Sequence, residues 1–175
     1  MVVVKVNGYA LRAALTEARL RLDAVSRMFK DSVMAFPGEE KPSPKSLDEE
    51  IVGLDDLISE IETAQATYNL KVRAGEMPLI RAVKLVGPRG RNAKLWREAA
   101  APSHERYGGG YYEHTRDKDS IVAAPQIDRR AALDIANTKA SQLAALRAAI
   151  ATANATPVEI DISESASEYV RKFVS

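Results

Sequence analysis

The chain has 175 residues, 46% hydrophobic and 28% charged, with a net charge of +1. This is the size of one domain with enough apolar surface for a core; it excludes a disordered chain and leaves no global attraction to nucleic acid or anionic membranes. The absence of cysteine excludes disulfides, thiolate metal sites and cysteine nucleophiles, and points to a reducing, cytoplasmic setting.

The opening MVVVKV is interrupted by Lys5 and is far shorter than a secretory core or the ~20 residues of a membrane helix. It is expected as a strand, with no export or membrane anchoring. Leu11, Leu15, Ala18, Leu22, Val25 and Phe29 then recur at alternating spacings of four and three, a single stripe on a helix from about Tyr9 to Lys30. SVMAFPGEEKPSPK follows, with three prolines and a glycine, so the chain turns and the next helix runs back antiparallel. That helix opens at SLDE, where Ser46 and Glu49 match a capping box, carries Leu47, Ile51, Leu54, Ile58 and Ile61, and ends near Thr67. Together these make a hairpin over residues 9–72, with YNLKV at its end read as extended.

The second half repeats the plan over residues 76–162. A third helix starts near Glu76 with Leu79, Val83 and Val86; GPRG at Gly87 to Gly90 is expected to break or kink it before it resumes through Leu95, Trp96 and Ala99. The fourth, from about Asp128 to Thr156, has its seam at Ala132, Ala136, Lys139, Leu143, Leu146, Ile150 and Ala153, and its small residues place it at the centre of the assembly. SIVAA at Ser120 to Ala124 reads as a strand, as does PVEIDI, whose Val158, Ile160 and Ile162 alternate with acids.

LDDLISEIETAQAT (Leu54 to Thr67) and LAALRAAIATANAT (Leu143 to Thr156) are offset by 89 residues and agree at seven of fourteen positions. They are the returning helices of two equivalent hairpins. The expected fold is therefore mainly α: two antiparallel long-helix hairpins forming a four-helix, coiled-coil-like bundle with short strands at its ends, in a single domain over 1–175. Gln65 and Asn154 are equivalent under the offset, and each is expected either to cap its helix or to pair with the other across an internal two-fold. Beyond the repeat, SESASEYVRKFVS has a possible capping box at Ser165 and Glu168. It also has an apolar face of Ala166, Tyr169, Val170, Phe173 and Val174, giving a helix over 164–174 too short to stand alone in water. It is expected to dock on a neighbouring subunit with Tyr169 and Phe173 as interface anchors, or alternatively to cover its own bundle.

The order helix, acidic GEE…P turn, second helix ending in an I-x-x-x-N-x-T-like signature, then the same plan with a tyrosine-containing loop before a strand, resembles the septicolysin-like group of bacterial helical-hairpin proteins. The residues carrying the resemblance are Gly38 to Glu40, Ile61 with Gln65 and Thr67, Tyr112 with Arg116, Ser120 to Val122, and Ile150 with Asn154 and Thr156. It covers about residues 9–161 and departs from the pattern at Gln65, where asparagine is usual, and at the inserted GPRG. The resemblance supplies no catalytic residues. The group's haemolysin-like name implies pore formation, while no segment here crosses a bilayer unless within a closed barrel.

The longest irregular stretch, Ala101 to Ser120, holds both histidines, Tyr107, Tyr111, Tyr112 and three consecutive glycines. His104, Glu105, Glu113, His114, Asp117 and Asp119 match no metal-ligand spacing, so no metal or cofactor is expected. The tyrosines suit packing against a protein partner, or covering the end of the bundle. GPRGRNAK is not a P-loop, because it lacks the terminal GK[ST] and follows a helix. It belongs to a basic stretch, Arg81, Lys84, Arg89, Arg91, Lys94, Arg97 and Arg106 against Glu98 and Glu105, that faces either a phosphate-bearing ligand or the acids Asp48, Glu49, Glu50, Asp55, Asp56, Glu60 and Glu62.

No nucleophile elbow, dinucleotide turn or ExxH pair is present, so no catalytic residues are expected. The sequence points to a non-enzymatic homo-oligomer working through protein contacts. Its alternative is a binding module for a small anionic ligand or nucleic acid using Arg89, Arg91, Lys94, Tyr111 and Tyr112.

Overall fold

The computed structural model of the chain describes residues 1–101 and 126–174, and these are mainly helical with two small two-stranded sheets. In chain order the elements are β1 (Val2–Val6), α1 (Gly8–Ser32), α2 (Pro44–Lys71), β2 (Arg73–Ala74), β3 (Met77–Pro78), α3 (Leu79–Ala99), α4 (Arg129–Ala155), β4 (Val158–Ile162) and α5 (Glu164–Arg171). They divide into two compact units, Met1–Arg81 with Ala149–Ser175, and Ala82–Ala148.

In the first unit, α1 starts where the Asn7 side chain accepts from the Ala10 amide at 2.8 Å. The expected stripe is the buried one: Leu11, Leu15, Ala18 and Val25 are buried, with Leu22 and Phe29 half-buried. On α2, Leu47, Leu54 and Ile61 are buried and Ile51 and Ile58 half-buried, so the first hairpin closes on two matched heptad seams. Arg19 pairs with Glu62 and Arg21 with Glu50, so position rises on one helix as it falls on the other, which fixes the antiparallel sense. Both pairs are solvent-exposed and contribute ~1 kcal/mol or less each. The packed leucines and isoleucines carry the stability.

Three local expectations are corrected here. The capping box at Ser46 and Glu49 is displaced, because α2 begins at Pro44 with Ser43 as its cap; proline at the first helical position has no amide to leave unpaired. YNLKV is not extended: α2 runs on to Lys71, because burial of Tyr68 in the core overrides the strand preference of its residue type. The chain becomes extended only at Val72. Gln65 consequently sits well inside α2 and not at its end.

β1 and β4 pair antiparallel with Val4 opposite Ile160 and Lys5 opposite Glu159, burying Val4, Val6, Ile160 and Ile162 on one face. β2 and β3 form a tight hairpin whose turn uses Gly75 at φ +63°. The third helix therefore begins at Leu79 and not near Glu76. α5 is capped by Ser163, which accepts from the Ala166 amide at 3.2 Å, in place of the expected Ser165 and Glu168 box. It packs on α1, α2 and β1 of its own unit, burying Ala166 and Val170. The tail thus covers its own unit.

In the second unit, the expected break at GPRG does not occur. α3 continues through Pro88. A proline crowds the residue before it and the carbonyl four back; Gly87, having no Cβ, relieves the first of these clashes. Continuity also rotates the buried face: Val83 and Leu95 are exposed at 48% and 63%, while Ala82 and Ala100 are buried and Val86, Ala93 and Trp96 half-buried. α4 opens with the Asp128 carboxylate accepting from the Ala131 amide at 3.2 Å. Its buried stripe follows the expected seam through Ala132, Ala136, Leu143 and Leu146, with Lys139 half-buried among them. The strand expected at SIVAA lies outside the described residues.

Candidate functional site

Helical geometry sorts the basic residues of α3 onto two sides. Pro88, Arg89 and Asn92 join Lys139 and Gln142 of α4 around a cleft of about 480 Å³. Lys94 and Arg97, with Gly90 and Ala93, join Leu143, Ala144 and Arg147 around a second cleft of about 280 Å³. The two helices lie close at Gly90, where a Cβ would meet Leu143 Cδ2 at 3.8 Å, an ordinary van der Waals contact.

The predicted residues thus separate. Arg89 lies in the first cleft and Lys94 in the second, whereas Arg91 lines neither and is exposed, its Nη1 3.5 Å from where a Cβ on Gly87 would stand. Tyr111 and Tyr112, like the histidines and Tyr107, lie outside the described residues. Arg97 belongs to the basic stretch that the sequence marks, whereas Lys139 and Arg147 lie outside it. The available signal was Lys139, a lone charge on an alanine–leucine seam. Among the described residues, Arg89, Arg97, Lys139 and Arg147 make no ion pair, while Lys94 reaches Glu98 at 3.7 Å on the helix surface. The acids Glu50 and Glu62 of α2 pair with Arg21 and Arg19 of α1, within the same hairpin.

A second surface is the loop between α1 and α2. Met34 and Phe36 are each 82% exposed, and Val33 stands out beside them. The loop that carries them is nonetheless fastened. Glu39 donates its amide to the Phe36 carbonyl at 3.0 Å and accepts the Phe36 amide on its carboxylate at 3.0 Å. Lys41 donates to the carbonyls of Asp31 and Met34 at 2.9 and 2.8 Å, closing off the end of α1. Gly38 turns the chain at φ +86°. The hydrogen bond from Phe36 and the proximity of Lys41 hold the Glu39 carboxyl below its ordinary range.

Tyr169 and Phe173 are half-buried, their ring centroids 5.9 Å apart, with the Lys172 ammonium 5.0 Å from the Tyr169 ring centre. Burial, and then the Glu17 carboxylate, raise the Tyr169 phenol above its ordinary value, partly offset by Arg21. A third cleft of about 190 Å³, against α2 and β4, holds Glu60 and Asp161; the Glu60 carboxylate already accepts the Ser163 hydroxyl. Among the described residues there is no cluster of three metal-ligating side chains and no helix long and apolar enough to cross a membrane.

No family model matches the chain, and no curated protein does. A crystal structure of a conserved protein of unknown function from Corynebacterium diphtheriae is similar in fold, with a TM-score of 0.64 at 18% sequence identity over 89% of this chain and 99% of that one. At that identity the likeness is one of fold alone.

Proposed function

We propose that this chain is a non-enzymatic protein that associates with copies of itself and works through protein contacts in a reducing cytoplasm. The observation that carries the reading is the segregation of charge. Residues 82–148 hold twelve lysines and arginines against seven acids, while the rest of the chain holds thirteen against seventeen. Opposite charges kept on separate units of one chain draw copies together and orient them. On this reading the 89-residue match marks two helical hairpins of one plan. Size-exclusion chromatography with light scattering tests it: a species larger than the 19.1 kDa subunit that shrinks as salt is raised is expected. A strictly monomeric protein at micromolar concentration overturns it.

One observation favours a second reading. Arg89, Lys139, Asn92 and Gln142 offer two cations and two amides to a single cleft, a donor set suited to a phosphate-bearing ligand. Under it, Arg89→Glu with Lys139→Glu abolishes binding of inorganic phosphate or a short oligonucleotide, and binding weakens steeply with salt. Under self-association alone there is no binding to lose.

A further inference from the structure

The sheet of β1 and β4 has one guarded edge and one open one. Its register runs from Val2 opposite Ile162 to Val6 opposite Val158, and among the described residues no backbone bond extends it to Met1 and Ser163 or to Asn7 and Pro157. An antiparallel ladder bounded in this way begins and ends on pairs that exchange their N–H and C=O groups, so Val2, Val4 and Val6 bond to β4. The outer side of β4 agrees: the Glu159 carbonyl accepts the Lys71 ammonium at 3.0 Å, as a carbonyl turned away from β1 can.

The N–H and C=O of Val3 and Lys5 therefore point out of the sheet on the far side of β1, where among the described residues no backbone group meets them. Both residues are exposed, Val3 at 61%. The strand has neither proline nor bulge, and its one charge stands opposite Glu159, so the devices that usually blunt a sheet edge are weak here. A sheet of two strands is also marginal by itself.

This edge matches itself. Set antiparallel to β1 of a second copy with Val4 opposite Val4, Val3 of each copy faces Lys5 of the other, and the outward groups of both strands pair. Val2 then meets Val6, which keeps apolar residues on the covered face. On the open face Lys5 lies between Glu159 of its own copy and Val3 of the other, with no like charges opposed. Other registers fail. A slip of one residue sets the outward groups against residues whose own are spent on β4, while slips of two either oppose Lys5 to Lys5 or shorten the pairing to Val2–Val4.

We propose that the open edge of β1 is a self-association surface, through which two copies join β1 to β1 across a two-fold axis into one continuous sheet ordered β4–β1–β1–β4. The inference rests on the self-association reading and names the contact through which it acts. Because each copy uses the same strand, the contact closes on a dimer.

Amide hydrogen exchange followed by NMR on the wild-type protein reads this edge directly. In the dimer the amides of Val3 and Lys5 are expected to exchange ~10-fold or more slowly than after dilution to monomer, whereas those of Val4 and Val6, bonded within each copy, change far less. Val3→Pro removes an outward N–H without touching a ladder bond, and is expected to give a folded monomer by circular dichroism and light scattering. If wild type assembles and the Val3 and Lys5 amides exchange equally fast in both states, this edge is not the contact while self-association stands. The same holds if folded Val3→Pro assembles like wild type; should that variant not fold, the exchange rates decide alone. If wild type is monomeric, both readings fall together.

Discussion

The hydroxyl of Tyr68, near the end of α2, lies 2.7 Å from the carbonyl of Ala153, 85 residues further along the chain, and 2.7 Å from that of Thr156. One phenolic proton thus serves two carbonyls at the end of α4; the Ala153 carbonyl also accepts the Thr156 amide, whereas the Thr156 carbonyl lies past the helix's own donors. Tyr68 directly follows the first of the two matching sequence segments, and the carbonyls it binds belong to the second.

Tyr68→Phe should keep the ring in place and remove that donor. The Ala153 carbonyl retains the Thr156 amide at 3.1 Å, whereas the Thr156 carbonyl loses the hydroxyl. A cost of ~1–3 kcal/mol is expected for the unmet group, read as a lower melting temperature with unchanged subunit number.

Alkaline stability should report the burial of the same hydroxyl. Burial raises the Tyr68 phenol above its ordinary value of 10.0, partly offset by a backbone hydrogen bond from Gly8 and added to by Tyr9. A raised acid is stabilised in its neutral form, so its contribution is complete below pH ~10 and is lost as pH climbs through the folded-state value. Denaturant titrations above pH ~10 should show the loss in wild type and a shallower one in Tyr68→Phe, with Tyr169 supplying the remainder.

Gly8→Ala is expected to destabilise by ~1–3 kcal/mol through overpacking. Its Cβ would stand 2.4 Å from Asn154 Oδ1 and 2.9 Å from Tyr68 Cε1. Adding Asn154→Ala should recover part of the loss and not all of it, because the tyrosine ring remains; full recovery would place the strain on the amide alone.

Leu54 and Val52, one turn face apart on α2, should behave oppositely. Leu54 is buried with Val25 and Leu47, and Leu54→Ala is expected to cost ~2–5 kcal/mol, whereas exposed Val52→Ala should stay within ~0.5 kcal/mol. Chemical denaturation of the two variants checks the assignment of faces.

Pro88→Ala should stabilise the second unit. The helix already runs through this position, so alanine removes a ~3 kcal/mol interior penalty and gives back ~1 kcal/mol through a looser unfolded chain, for a net gain of about 2 kcal/mol. A lower melting temperature would show that the proline is needed for the shape of the cleft it lines.

The heptad spacings of α1, α2 and α4, the alternation in Val158 to Ile162, and the proline-rich turn at 33–43 were legible in the sequence because each depends on neighbours within a turn or two. Where the sequence misled, a long-range contact had outweighed a local preference. YNLKV stays helical because Tyr68 is buried against a carbonyl 85 residues away. The capping residues moved by one to three positions, since any of several nearby serines can serve as a cap and packing fixes which one does. GPRG kept its helix, and that continuity turned Val83 and Leu95 outward. Of the candidate site, the basic character of α3 was written in its composition. Which of its cations meet Lys139 or Arg147 was decided only when α3 and α4 came to line common clefts, because a pairing of helices fixes neighbours that no spacing along one strand of sequence encodes.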